Sequence, residues 1–286
     1  MLNKIFKKIF PSYFKLQSKV EYLESEVSEL QYRLRHLANN KDNTSANINQ
    51  TKESFSSQWS KIPKGKDLIG DEEFESNQIK LLSEYTLKDP SWFKGKKVLD
   101  AGCGNGRWSY LFHKLGAEVT AIDQSLSGIE NVRKLIPKDE FRAIQVDILN
   151  PQEFNGSFDF IWSYGVTHHT GNTQLAVKNI SNWVRSEGFI FLMIYGEPTN
   201  DLEYKEVTNY IKLRQKTRYM SFDQKVEFLS SLYPEELIHP FFDAISPEIN
   251  DLHSFEEISG WLNIYGFKEI IRTIRQRNHH VIAKKV

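Results

Sequence analysis

Residues 98–106 read VLDAGCGNG: a short apolar run, an acid, and then glycine at every second position, Gly102, Gly104 and Gly106. The apolar run reads as a buried strand. The glycines read as a loop whose backbone turns tightly and lets a ligand lie directly against it. Residues 107–115 then read as a helix. A strand, a glycine loop and a helix in this order belong to an open sheet with crossover helices. Ligands of such sheets bind beyond the carboxyl ends of the strands.

The alternation continues downstream. Strands are predicted over 118–122, 141–146, 158–163 and 189–195, with helices over 125–135, capped by Ser125, and over 173–184. The implied fold class is α/β, a doubly wound parallel sheet with helices on both faces. A helix over 255–265 and strands over 266–273 and 279–284 follow. The short turn at 275–278 makes those last two strands an antiparallel hairpin. The segment of about 199–250 is too long for an ordinary connection. It is rich in aromatics from Tyr204 to Phe242 and reads as a helical cap whose aromatics mostly form its own core. Phe55 and Trp59 are placed to close the pocket from the other side.

Ahead of this domain, assigned to residues 59–286, two further zones are expected. In residues 1–38, Leu16, Val20, Leu23, Val27, Leu30, Leu34 and Leu37 recur at steps of four and three, the seam of a heptad repeat. Val20 and Val27 share one seam position and Leu23, Leu30 and Leu37 the other, which favours a parallel homodimer through residues 16–37. Lys19 then faces Glu24 of the partner helix. The alternative is an amphipathic helix packed on its own domain. Residues 39–58, rich in Asn, Ser, Thr and Lys, read as a flexible linker. Residues 1–19 carry five lysines and no acid, so two readings stand: a peripheral contact with an anionic membrane, or a solvated terminus, which the break at Pro11 favours.

What the glycine loop holds is narrowed by its neighbours. A nucleotide-hydrolase phosphate loop ends in Gly-Lys-Ser/Thr, whereas Gly106 is followed by Arg107 and Trp108. The dinucleotide fingerprint has its third glycine three places after the second, and here it stands two places on. Three acids decide more. Asp123 ends the second strand, where a carboxylate accepts both hydroxyls of a ribose. Asp147 ends the third, positioned for the exocyclic amine of a base. Asp100 stands at the mouth of the first, near a cationic amino group. An amine, a ribose and an adenine without phosphates describe S-adenosyl-L-methionine.

With these residues in view, VLDAGCGNG, AEVTAIDQS, QVDI and FDFIWSYGVTHHT together resemble the class I S-adenosylmethionine-dependent methyltransferases, in the family's order and spacing. The resemblance implies a Rossmann-like, seven-stranded sheet with an antiparallel last strand. It implies that Gly102, Gly104 and Gly106 pass close to the methionine part of the cofactor, and that Asp123 holds the ribose. Asp147 and Ile148 then flank the adenine, and Tyr164 and Val166 lie beside cofactor and substrate. A solvated or helix-capping acid is the plain alternative for Asp123 and Asp147.

Methyl transfer to oxygen gains from a base near the acceptor. His168 and His169 follow the fourth strand and are the catalytic candidates, His168 preferred; the alternative is that both are structural. His279 and His280 alternate along a strand and face opposite ways, so no metal site is expected. The segment Ser163-Tyr164-Gly165-Val166 lacks the Asn/Asp-Pro-Pro-aromatic pattern of enzymes that methylate base or glutamine amines. Lys+Arg and Asp+Glu both number 37, so no global attraction to nucleic acid exists. The expected activity is O-methylation of a small molecule, lipid-linked intermediate or glycan. The alternatives are a non-catalytic coiled-coil scaffold and an NAD-dependent oxidoreductase. A single cysteine, Cys103, and the absence of an apolar run long enough to span a bilayer point to a cytoplasmic protein.

Overall fold

A computed structural model describes residues 11–39, 43–62, 69–136, 141–150 and 154–286. Two helices come first, α1 (Pro11–Asn39) and α2 (Asn43–Lys61), followed by α3 (Glu72–Thr86). The strands and helices β1 (Lys97–Ala101), α4 (Arg107–Lys114), β2 (Glu118–Asp123), α5 (Leu126–Leu135), β3 (Arg142–Gln145), β4 (Phe158–Tyr164), α6 (Thr173–Trp183) and β5 (Val184–Ile194) alternate as anticipated. Three helices form the cap: α7 (Asp201–Thr217), α8 (Phe222–Ser230) and α9 (Glu235–Ile245). The chain closes with α10 (Phe255–Ile264), β6 (Phe267–Arg275) and β7 (His279–Lys285).

The seven strands form one sheet in the order β3-β2-β1-β4-β5-β7-β6. The first five run parallel, and β7 is antiparallel to both its neighbours. Strands β1 and β4 are apolar on both sides, as parallel strands covered on two faces must be. Ile180, Trp183, Ile258 and Leu262 from α6 and α10 pack within one buried cluster, and Leu82, Phe93, Leu111 and Phe112 within the other. Ser125 caps α5 by accepting the Gly128 amide, as its sequence position anticipates. Strand order reverses between β1 and β4, which opens a crevice beyond their carboxyl ends.

The N-terminal zones need correction. Residues 39–58 are not a flexible linker: α2 fills 43–61, and Thr51, Ser54 and Gln58 are fully buried. Its low hydrophobicity hid this, because α2 docks through hydrogen bonds. Ser54 Oγ donates to Ser246 Oγ at 2.7 Å, Gln50 Nε2 to the Ser246 carbonyl at 2.8 Å, and the Ile249 amide donates to Thr51 Oγ1 at 3.1 Å. The folded domain therefore begins before residue 59.

The heptad helix α1 does pack on its own domain, but not through its seam. Tyr22 meets Tyr204 of α7 at a ring separation of 5.4 Å, and Glu29 pairs with Arg218. Ser18 and Glu29 are buried, while the seam from Leu16, 62% exposed, to Leu34, 63% exposed, faces outward. The side chain of Leu37, and residues 1–10 of the basic N-terminal stretch, lie outside the described residues. Among the described residues no helix is long and apolar enough to cross a membrane.

Candidate active site

The glycine loop is tied down at its start: the Gly102 and Cys103 amides donate to the Ile122 carbonyl at 2.8 and 2.9 Å. Gly102 and Gly104 have φ of 94° and 53°, in the left-handed region that favours glycine. A methyl group at Gly102 would collide with Val166, and one at Gly104 would lie 2.7 Å from the Trp59 ring. Gly106, at φ 87°, opens α4. The backbone thus forms a cradle in which any Cβ would be crowded.

The acids stand around this cradle. Asp123, at the end of β2, accepts the Gly104 amide at 2.9 Å and the Ser125 amide at 2.7 Å. Burial raises its pKa, and those two amides pull the other way. Asp100 is buried and accepts the Ser109 hydroxyl at 2.6 Å; burial pushes its carboxyl up to about 7, with the Asp123 charge adding to the rise. Asp147 follows β3, accepts the Leu149 amide at 3.0 Å, and is paired with Lys52 of α2 at 3.1 Å. Ile148 beside it is buried. Tyr164 ends β4, stacked on Trp162 at 5.7 Å, and burial raises its phenol.

The two histidines differ. His168 is wholly buried, stacks on Tyr195 at 4.0 Å, and has no hydrogen-bond partner on either ring nitrogen. Burial holds it well below the usual histidine range. The His169 Nδ1–H donates to the Ile249 carbonyl at 2.9 Å. A carbonyl only accepts, so the proton of the neutral ring sits on Nδ1 and Nε2 carries a lone pair. That Nε2 has no hydrogen-bond partner. Phe55 of α2 meets the ring edge-on at 4.9 Å, and burial lowers the pKa to about 4.

A polar chain joins the end of β5, the cap and α2. Tyr195, just past β5, donates to Asp243 of α9 at 2.9 Å. Burial lifts Asp243 to about 6, opposed by hydrogen bonds from Tyr195 and Gln58. Gln58 also reaches the His239 ring at 3.2 Å, and His239 lies 5.3 Å from Trp59. Tyr195 further lines a cavity of about 410 Å³ bounded by α1, α7 and Arg277.

The structure therefore brings Asp100, Asp123, Asp147 and the glycines to one crevice, with Tyr164 and His169 at its edge and Phe55 and Trp59 across its mouth. Gln58, Tyr195, His239 and Asp243 escaped the sequence reading. Only Tyr195 carried a signal, since it ends a predicted strand at the same sheet edge. Among the described residues no group of three or more His, Cys, Asp or Glu side chains is placed to hold a metal.

Comparison with known proteins agrees with this geometry. A family model described as a methyltransferase domain matches residues 99–192. The ubiquinone biosynthesis O-methyltransferase of Pelagibacter ubique is 28% identical over 127 residues, covering 42% of this chain and 52% of that protein. The malonyl-[acyl-carrier protein] O-methyltransferase of Enterobacter lignolyticus is 32% identical over 94 residues, covering 33% and 37%. The chain thus spans about half or less of the length of these curated relatives. A chain in the complex between the Haloferax volcanii Trm112 methyltransferase activator and a methyltransferase shares the fold: TM-score 0.50, 13% identity, covering 80% of this chain and 96% of that one.

Proposed function

We propose, on the premise that this chain belongs to the class I S-adenosylmethionine-dependent methyltransferase family through its residues 99–192, that it methylates an oxygen of a small organic acceptor. When bound, the donor supplies an electrophilic methyl carbon on a sulfonium. The residues present suit it: a glycine cradle too tight for side chains, and carboxylates for a ribose, a base amine and a cationic amino group. Asp123 takes the ribose hydroxyls, Asp147 and Ile148 the adenine, and Asp100 the amino group. The loop of Gly102, Gly104 and Gly106 borders the methionine part, with Tyr164 beside it.

The observation that carries the oxygen reading is His169. Its ring is oriented by the Ile249 carbonyl and its pKa is held low, so it is neutral at physiological pH with Nε2 able to accept a proton. His169 Nε2 would take up the proton that the acceptor hydroxyl gives up on methylation. His168, with no polar partner, supports the pocket wall by stacking on Tyr195. Trp59, Phe55 and the cap exclude water, and alignment supplies most of the remaining acceleration. The names of the ubiquinone and malonyl-[acyl-carrier protein] relatives support an oxygen acceptor; a lipid-linked or glycan acceptor is a finer form of this reading.

Calorimetry with S-adenosylhomocysteine tests the cofactor assignment, and NADH serves as control. Mass spectrometry of cell extracts with and without the active protein should reveal a species heavier by one methylene. Binding of NADH but not of S-adenosylhomocysteine would overturn the assignment. Cofactor binding without any such species would favour the scaffold reading.

A further inference from the structure

Helix α1 has two faces with opposite chemistry. Ser18, Tyr22, Ser25 and Glu29 turn toward α7, where Glu29 pairs with Arg218 and Gln215 reaches Ser28 at 3.5 Å. Leu16, Val20, Leu23, Val27, Leu30 and Leu34 are all exposed, and of these only Leu30 also borders the cavity against α7. An amphipathic helix that serves only its own domain buries the apolar stripe and leaves the polar one wet. Here the arrangement is reversed.

We infer that this outward face is a dimer interface whose occupant is the same helix of a second copy, parallel and in register. With Val20, Val27 and Leu34 at the first core position of the heptad and Leu16, Leu23 and Leu30 at the second, the docked residues Ser18, Tyr22, Ser25 and Glu29 fall at positions that a two-stranded coiled coil turns outward. The helix can therefore hold its own domain and a partner helix at once, on opposite sides, with only Leu30 of the seam also bordering the cavity on the docked side. Valine at two of the first-position sites with leucine at the second favours two parallel strands. The flanking charges agree: in parallel register Lys19 of each helix faces Glu24 of its partner, an attractive pair on both sides of the two-fold axis. The interface is self-complementary, so it closes at two copies. The same flanks disfavour an anionic bilayer, because Glu21, Glu24 and Glu26 border the stripe.

Sedimentation equilibrium of the full chain at tens of micromolar should give twice the monomer mass. The double variant Leu23→Glu, Val27→Asp should sediment as a monomer with unchanged circular dichroism and unchanged S-adenosylhomocysteine affinity. Both side chains are exposed within one copy, so the monomer fold does not depend on them. Direction is read separately: Val20→Cys should form a covalent dimer under mild oxidation, against the background of one buried native thiol, Cys103. A parallel in-register pair places the two introduced thiols face to face, and an antiparallel pair sets them apart. A monomeric wild type, a variant that stays dimeric, or the absence of the cross-link would overturn the inference. So would a monomer that co-sediments with phosphatidylglycerol vesicles, which would assign the stripe to a lipid surface.

Discussion

Asp100 sits beneath the glycine loop with its carboxyl raised by burial to about 7, against an ordinary value of 3.8. In that window the folded chain keeps a proton that the unfolded chain has released. The stabilising contribution is therefore full at low pH and is lost as pH rises through about 7. Asp100→Asn should melt like wild type near pH 4 but exceed it above pH 8, by on the order of 4 kcal/mol, while binding cofactor less well. Differential scanning calorimetry at both pH values checks the first part, and titration calorimetry the second. Asp123→Ala should weaken S-adenosylhomocysteine binding by about 1–3 kcal/mol, because ribose hydroxyls lose their acceptor; unchanged affinity would remove Asp123 from the site. His169→Ala should lower turnover of the acceptor-containing fraction by roughly 10²–10⁴-fold with cofactor affinity kept. In the wild type the acid limb of kcat should lie well below pH 6.5, because His169 stays neutral down to about 4. The three acids were legible in sequence because each stands at a strand end, a position that topology alone carries to the crevice. Gln58, His239 and Asp243 were not, since their neighbours are set by how the cap and α2 lie on the sheet.

At the scale of elements, the strands were readable as apolar runs, and the helices between them by their caps. Strand β5 begins at residue 184 rather than 189 because Glu187 adopts φ 62° and the pairing with β4 slips between Phe158 and Phe160, an irregularity no periodicity announces. Helix α2 was missed because its binding to the domain is polar, whereas hydrophobic periodicity reports only apolar burial. It follows that α2 amides near Thr51, Ser54 and Gln58 should be strongly protected in hydrogen exchange; exchange at the rate of an unstructured peptide would restore the linker. Two buried cations, Arg214 and Lys225, stand inside the cap, and Arg214 makes more of its contacts. Arg214 of α7 donates to the carbonyls of Ala244, Pro247 and Glu248 at 3.3, 2.6 and 3.1 Å. Arg214→Leu strands three acceptors and should cost about 2–4 kcal/mol, read as a lowered denaturant midpoint with the sheet's own signal retained.

For the whole molecule, α1 and α2 have different duties although they are adjacent. Helix α2 lies over the glycine loop, and among the described residues α1 packs chiefly on α7 and lines the cavity beside Tyr195. Removing residues 1–39 should leave S-adenosylhomocysteine affinity within about twofold, a change below the ~0.5 kcal/mol expected of distant sites. Removing residues 1–61 should weaken it substantially, since Trp59, Phe55 and Lys52 go with it. Equal affinities for the two truncations would mean that α2 does not contribute to the site. Because both helices are docked rather than strung on a linker, a dimer joined through α1 would hold its two sheets at a fixed angle, and small-angle scattering of the full chain should fit one compact particle.

The hydrogen bonds that seat α2 span great lengths of chain: Ser54 waits for Ser246 and Thr51 for Ile249, separations of 192 and 198 residues. During synthesis the ribosome delivers both N-terminal helices long before the loop and the cap that receive them. The leucine stripe of α1 thus leaves the exit tunnel bare, at a time when a neighbouring ribosome on the same message is extruding an identical one. Pairing can then precede folding, and the crevice cannot be completed until residues 246–249, on which α2 is seated, have been made.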